Sequence, residues 1–266
     1  MEETVYPGIA PDIQSHKFVD GKWQETRLSV PKELPLTIYI NSIELVTILC
    51  SPIKLNCLVL GYLYAEGLIQ NMKDIASMRV CEDDATADVK LNKQDLILPQ
   101  KKVLTSGCGG GISFNINSPK MNSDIKIAPE KILLLMRKLV ESASTYTLSG
   151  GIHTSALCDE NDIIAIAEDI GRHNTLDKLI GECLLRKLST AGKILVASGR
   201  VSSEMIRKAA IMQTPIIASL TSPTERAVVL ALQVGITLIG YARGKHLTVY
   251  TQPERLGDHF SQKPVN

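Results

Sequence analysis

The sequence predicts an α/β protein, with a smaller mixed α+β part first and a larger part on a largely parallel sheet second. Three observations predict it. From residue 163 onward, a short apolar run, a polar loop and an amphipathic helix follow one another three times. Alternating strands and helices of this kind build a parallel sheet covered on both faces. Before residue 123 no such regularity holds, and the polar stretch Asn115 to Ser123 reads as a linker. The division expected is therefore 1–122 and 123–266.

In chain order, Phe18 to Val30 alternates around Gly21 as a hairpin does, and Leu36 to Ile40 is a β-rich run. Ser51-Pro52 opens a helix with Leu55, Leu58, Val59 and Tyr62 at helical spacing, closing near Gly67. Met78 to Cys81 and Asp88 to Leu91 read as short strands. Pro129-Glu130 starts a helix with Ile132, Leu133, Met136 and Leu139 on one face. The three units follow. Strand Ile163 to Ala167 leads through Glu168–Asn174 into a helix, and strand Ile194 to Ala197 through Ser198–Ser203 into a second. Strand Ile216 to Leu220 leads through Thr221–Thr224 into a third, which ends at Gly235. A last strand, Thr237 to Ala242, turns at Arg243-Gly244-Lys245-His246 into Leu247 to Tyr250.

Composition narrows the function classes. Apolar residues make up 44% and charged residues 21% of the 266, which fits a soluble globular chain. A formal net charge of +1 gives no global drive toward nucleic acid or membrane, so polyanion binding has to come from a local patch. No apolar stretch reaches the roughly 18 residues of a membrane span, and the acidic start Met1-Glu2-Glu3-Thr4 is no signal segment. The six cysteines have neither zinc-ligand nor Cys-x-x-Cys spacing. Cys50, Cys57, Cys158 and Cys183 have apolar neighbours and read as core, and a reduced, cytoplasmic setting is expected.

Two features carry chemistry. Cys108 lies in Thr105-Ser106-Gly107-Cys108-Gly109-Gly110-Gly111, flanked by four glycines. Such a run leaves the backbone free and the sulfur uncovered, which suits a carrier or nucleophile, with a packing thiol as the alternative. Lys101 and Lys102 are close in sequence, and cations lower a thiol pKa. The second feature is the carboxyl edge of the sheet, where ligands bind in folds of this class. Asn174, Ser202 or Ser203, and Thr224 read as helix N-caps there. Arg172, His173, Arg200, Arg243 and Lys245 bring positive charge to that edge, and Gly171, Gly199 and Gly244 allow close backbone approach. Helix N-termini favour phosphate, so a ligand with several phosphates is expected. His153, after Gly150-Gly151-Ile152, is a candidate for the same edge. No Gly-x-x-x-x-Gly-Lys-Ser/Thr loop is present.

These residues resemble the FdhD family of formate dehydrogenase accessory sulfurtransferases. The strongest portion is Glu168 to Lys178, followed by Ser198 to Glu204. Ser222-Pro223-Thr224, Tyr250-Thr251, Pro52, Gly61 to Gly67 and Ser149 to His153 also fit. The resemblance implies a cytidine-deaminase-like, three-layer α/β/α second domain and a homodimer. It implies a sulfur carrier that takes sulfur from a cysteine desulfurase as a persulfide on Cys108. The acceptor it implies is the molybdenum (or tungsten) bis(molybdopterin guanine dinucleotide) cofactor of formate dehydrogenase. Tyr241, Ala242, Arg243, Gly244, Lys245 and His246 match the family's cofactor-binding stretch. Arg172, His173, Asn174, Ser198, Gly199, Arg200, Ser202, Ser222, Thr224 and His153 complete the expected cofactor site, with no metal of the protein's own. The family's second loop cysteine is replaced by Gly111, which leaves a cofactor-binding chaperone without sulfur chemistry as the alternative. A zinc hydrolase of the deaminase type lacks its His-x-Glu and Pro-Cys-x-x-Cys ligands here.

Overall fold

The computed structural model describes residues 7–93, 102–104, 121 and 123–257. Cys108 with the rest of its glycine run, and most of the expected linker, lie outside the described residues.

The chain opens with a long hairpin, β1 (Ile9–Val19) and β2 (Lys22–Pro31). Its turn falls at Asp20-Gly21, both at positive φ, as a two-residue hairpin turn requires. The first arm starts well before Phe18, where the sequence placed it. Next comes a five-stranded sheet of order β5-β6-β3-β4-β7. Its members are β3 (Leu34–Ile40), β4 (Ile43–Cys50), β5 (Ile75–Cys81), β6 (Thr86–Leu91) and β7 (Lys102–Leu104). Strand β4 is absent from the sequence reading. Its turn, Asn41-Ser42, takes positive φ at both positions without a glycine to announce it. Helix α1 (Leu55–Ala65) is apolar nearly all round because it is buried on two sides. One side packs on the five-stranded sheet through Leu58, Val59 and Leu63.

The second half is a three-layer sandwich. Helices α2 (Pro129–Glu141) and α3 (Ser144–Ser149) precede a six-stranded sheet of order β13-β12-β11-β10-β8-β9. Strands β8 (His153–Cys158) and β9 (Ile163–Asp169) form a hairpin. Then α4 (Arg172–Arg186), β10 (Ile194–Ala197), α5 (Ser203–Ile211), β11 (Ile216–Ser219), α6 (Glu225–Val234), β12 (Thr237–Arg243) and β13 (His246–Val249) follow. Strands β9, β10, β11 and β12 run in one direction, as the repeated units predict. Only β10-β11 and β11-β12 are parallel neighbours, because β8 sits antiparallel between β9 and β10 and β13 pairs antiparallel at the edge. Strand order advances one way from β10 to β12, so right-handed crossovers put their helices on one face. That face carries Leu176, Leu179, Met205, Ile206, Leu230 and Ala231 of α4, α5 and α6. Ile132, Leu135, Met136 and Leu139 of α2 cover the other.

The two halves meet where α1 crosses α4. A Cβ at Gly61 would strike the backbone carbonyl of Asp177, and one at Gly181 that of Cys57. Glycine at both positions lets the helix backbones touch.

Candidate ligand rim

Strands β9 to β12 end along one edge of the six-stranded sheet, and β8 begins there, since His153 pairs with Asp169. Helices α4, α5 and α6 start at this edge with N-caps Gly171, Ser202 and Thr224. Ser202 Oγ accepts from Met205 N (3.4 Å) and Thr224 Oγ1 from Ala227 N (3.2 Å). The remaining first-turn N–H groups face outward with the positive end of each helix dipole.

Beside them opens a cavity of about 550 Å³. Leu139, Ile152 and Leu220 give it apolar walls, while His153, Ser198, Thr221 and Arg243 supply polar groups. Another cavity, of about 310 Å³, lies near the far end of α4, beside Cys183, Lys187 and Gln213, away from the arginines of the rim.

Positive charge gathers at the rim. Among the described residues Arg172, Arg200, Arg243 and Lys245 form no ion pair. Burial, and then the nearby charge of Arg200, pull the Arg172 guanidinium below its ordinary pKa, and its Nε is buried without a hydrogen-bond partner among the described residues. Burial, then Arg172, also lower His153, which favours a neutral imidazole at the cavity wall. A Cβ at Gly199 would lie 2.9 Å from His153 Nδ1 and 3.2 Å from Arg172 Cβ, so glycine lets both side chains pack over the loop.

The expected site residues sort into three groups, apart from those corrected below. His153, Ser198 and Arg243 line the cavity. Arg200, Ser202, Ser222 and Thr224 stand in the strand-to-helix loops beside it, and Arg172 is the first residue of α4. Tyr241, Gly244, Lys245 and His246 are exposed around the β12–β13 turn, where Gly244 takes φ +61°. Tyr241, at φ +52°, sits in a β-bulge that turns its ring outward.

Three expectations are corrected. Ala242 is fully buried beneath α2, on the same side as Ile239 three residues earlier, because the bulge at Tyr241 shifts the alternation of the strand. Asn174 is not the cap of α4. It is the third helical residue, and its Nδ2 donates to Leu49 O (2.9 Å) and Asp169 Oδ1 (2.8 Å). His173 is buried, with Nε2 2.7 Å from Ser202 Oγ, so it reaches the rim only through that hydroxyl. Burial pushes its pKa down to about 4.

The run Glu168–Lys178 thus does three jobs. Glu168 accepts from Thr145 N and Tyr146 N (both 3.1 Å), holding α3 against the cavity. Asp169 is a bolt between the halves: it accepts from Ser51 N (3.1 Å) and pairs with Lys178 at 2.5 Å, both side chains fully buried. Lys178 Nζ also donates to Ser51 O (3.1 Å). Arg172 alone of these faces the rim. Tyr146, Thr154, Leu220 and Thr221, which also line the cavity, escaped the sequence reading. The polar Thr221-Ser222 start of its loop was the one signal for them.

Among the described residues, no group of three His, Cys, Asp or Glu is placed to hold a metal, and no helix is long and apolar enough to cross a membrane. Comparison with known proteins agrees with the resemblance. The chain is 38% identical over 259 residues to a protein named sulfur carrier protein FdhD from Listeria monocytogenes, covering 92% of this chain and 99% of that one. To the protein of the same name from Bacillus subtilis it is 37% identical over 251 residues, covering 90% and 95%. A crystal structure of a protein assigned as a formate dehydrogenase accessory protein, from Desulfotalea psychrophila, superimposes with a TM-score of 0.79 at 26% identity, covering 94% of this chain and all of that one. The pattern of the FdhD/NarQ family matches residues 31–257, and the chain belongs to that family.

Proposed function

We propose that the chain is a sulfur carrier for the maturation of formate dehydrogenase. In this reading the Cys108 thiolate attacks the terminal sulfur of a persulfide on a cysteine desulfurase. A sulfur–sulfur bond forms at Cys108, the donor's breaks, and the donor cysteine leaves as thiolate. The terminal sulfur then passes to the molybdenum (or tungsten) bis(molybdopterin guanine dinucleotide) cofactor, held at the rim as substrate. Releasing that sulfur as sulfide takes two electrons, supplied as a thiol forms a disulfide with Cys108. With Gly111 in the loop, that thiol comes from another cysteine or another molecule. The carrier works as a cytoplasmic homodimer in this reading.

The observation that carries the proposal is the group of cations, without ion-pair partners among the described residues, beside an apolar-walled cavity and three helix N-termini. A guanine dinucleotide needs those parts: donors and positive charge for its phosphates, and a slot with a few polar groups for its base. The Nε of Arg172, buried without a hydrogen-bond partner among the described residues, and the packing of Arg172 and His153 over Gly199 fit an anion there. Strand β7 supports the link to Cys108. Its Leu104 pairs with Ile48, three residues before Ser51, which is bonded to Asp169 at the rim end of β9. Cys108 follows Leu104 by four residues, a reach of at most about 14 Å.

Intact mass spectrometry after incubation with an active cysteine desulfurase and cysteine tests the reading. The wild type gains about one sulfur atom, reversibly on reduction, and Cys108→Ala does not. No gain in the wild type would sink the sulfur-carrier reading. The absence of a second loop cysteine favours the chaperone alternative, under which Cys108→Ala still supports formate dehydrogenase.

A further inference from the structure

Ser202 Oγ is held from two sides. It accepts from Met205 N as the cap of α5, and it lies 2.7 Å from His173 Nε2. Which partner of the second bond donates depends on the imidazole tautomer. Glu204 decides it. Its Oε2 is buried without a hydrogen-bond partner among the described residues and stands 4.0 Å from the same Nε2. A carboxylate repels a bare nitrogen lone pair and attracts an N–H. Another charge acting on the ring, Lys208 on α5, is bound to Asp177 (2.7 Å) and to the second oxygen of Glu204 (3.2 Å). Arg172 and His153 also face the ring, and with burial they keep it from taking a second proton. The neutral ring therefore carries its proton on Nε2 and donates to Ser202.

Both lone pairs of Ser202 Oγ are then occupied, by His173 and by Met205 N. Its own proton finds no acceptor among the described residues. We propose that His173 and Glu204 are positioning residues that fix the Ser202 hydroxyl as a hydrogen-bond donor to an anionic oxygen bound at the rim. This rests on reading the rim as the site of guanine-dinucleotide phosphates. It changes the role of His173 from a ligand contact to a residue that acts through Ser202.

Two measurements on the full chain test it. The first is ¹⁵N NMR of histidine-labelled protein, with His173→Gln used to assign the signal among five histidines. The expected result is a neutral ring protonated on Nε2, and a proton on Nδ1 would overturn the proposal. The second is calorimetric titration with guanosine 5′-diphosphate, one half of a guanine dinucleotide. Glu204→Gln lets the ring turn its lone pair to Ser202 and draws the hydroxyl proton inward. Affinity is expected to fall about tenfold in Glu204→Gln, about tenfold in Ser202→Ala, and no further in the double variant. His173→Gln keeps an N–H donor toward Ser202 and should retain affinity. Unchanged binding in Glu204→Gln, or a double variant that loses the product of both effects, would overturn the positioning role. Should Glu204→Gln fail to fold, the tautomer of the wild type decides alone. Wild-type protein that does not bind guanosine diphosphate would overturn the rim reading and the inference with it, whereas intact binding with the Nδ1 tautomer would remove only the inference.

Discussion

The bolt at Asp169 and the rim that begins two residues later treat charge in opposite ways. At the bolt, carboxylate and ammonium are both fully buried, 2.5 Å apart, and surrounded by bonds from Ser51, Gly171 and Asn174. At the rim, Arg200 presses its charge on Arg172, the carboxylate of Glu204 offsets it only in part, and Arg172, Arg200, Arg243 and Lys245 form no ion pair among the described residues. Closed charge holds the protein to itself, while open charge of one sign costs the fold something and repays it only when an anion arrives. A single run of the sequence, Glu168 to Lys178, serves both regions. Motif specificity alone therefore cannot tell ligand contacts from structural ones.

The comparison breaks most readily at the bolt. Asp169→Asn leaves the Lys178 ammonium buried with only carbonyl partners, and should lower the unfolding free energy by about 3–5 kcal/mol. Adding Lys178→Met removes the stranded charge and should recover part of the loss. Urea unfolding followed by circular dichroism measures both, and an Asp169→Asn variant as stable as wild type would mean that the pair does not bolt the halves.

His173 lies between the two regimes, buried like the bolt but joined to the rim. Its folded-state pKa, about 4, is below the ordinary 6.5, so the unfolded chain binds the proton first as pH falls. The neutral ring's contribution is whole above pH 6.5 and is lost as pH falls toward 4. Between pH 7 and 4.5 the wild type should lose about 2 kcal/mol more stability than His173→Gln, which cannot titrate. Parallel pH profiles for the two proteins would show that the ring is not held neutral.

How much of this was legible in the sequence follows the same division. The rim was legible because its loops place Arg, Gly and Ser directly after apolar runs, and strand direction then gathers them. What lies between the halves was not. Asn174 has the chemistry of a cap, and only the fold brings Leu49 and Asp169 within reach of its amide. The place of β8 between β9 and β10 depends on pairing partners far apart in the chain. Strand β4 was hidden by a turn of Asn41 and Ser42 that adopts glycine-like angles without glycine. The burial of Ala242 was not legible, because the bulge at Tyr241 shifts the alternation of β12 without a glycine or proline at that residue to announce it. The buried pair Asp177–Lys208 gave no sequence signal, because each residue looks like a solvated helix position until α4 and α5 pack.

The smallest effect on stability sharpens the comparison furthest. Arg200→Gln and Arg243→Gln remove charges that touch no carboxylate among the described residues, so each should change the unfolding free energy by no more than about 0.5 kcal/mol. Removing Arg200 also relieves the repulsion on Arg172, which makes a slight gain the expected sign. Each variant should nevertheless bind guanosine diphosphate about tenfold more weakly, with a shallower dependence on salt. Held beside Asp169→Asn, these variants separate the two uses of charge: one loses the fold and the others lose only the ligand. If an arginine of the rim proved as costly to stability as the bolt, its charge would be holding the fold, and the division between closed and open charge would be wrong at that residue.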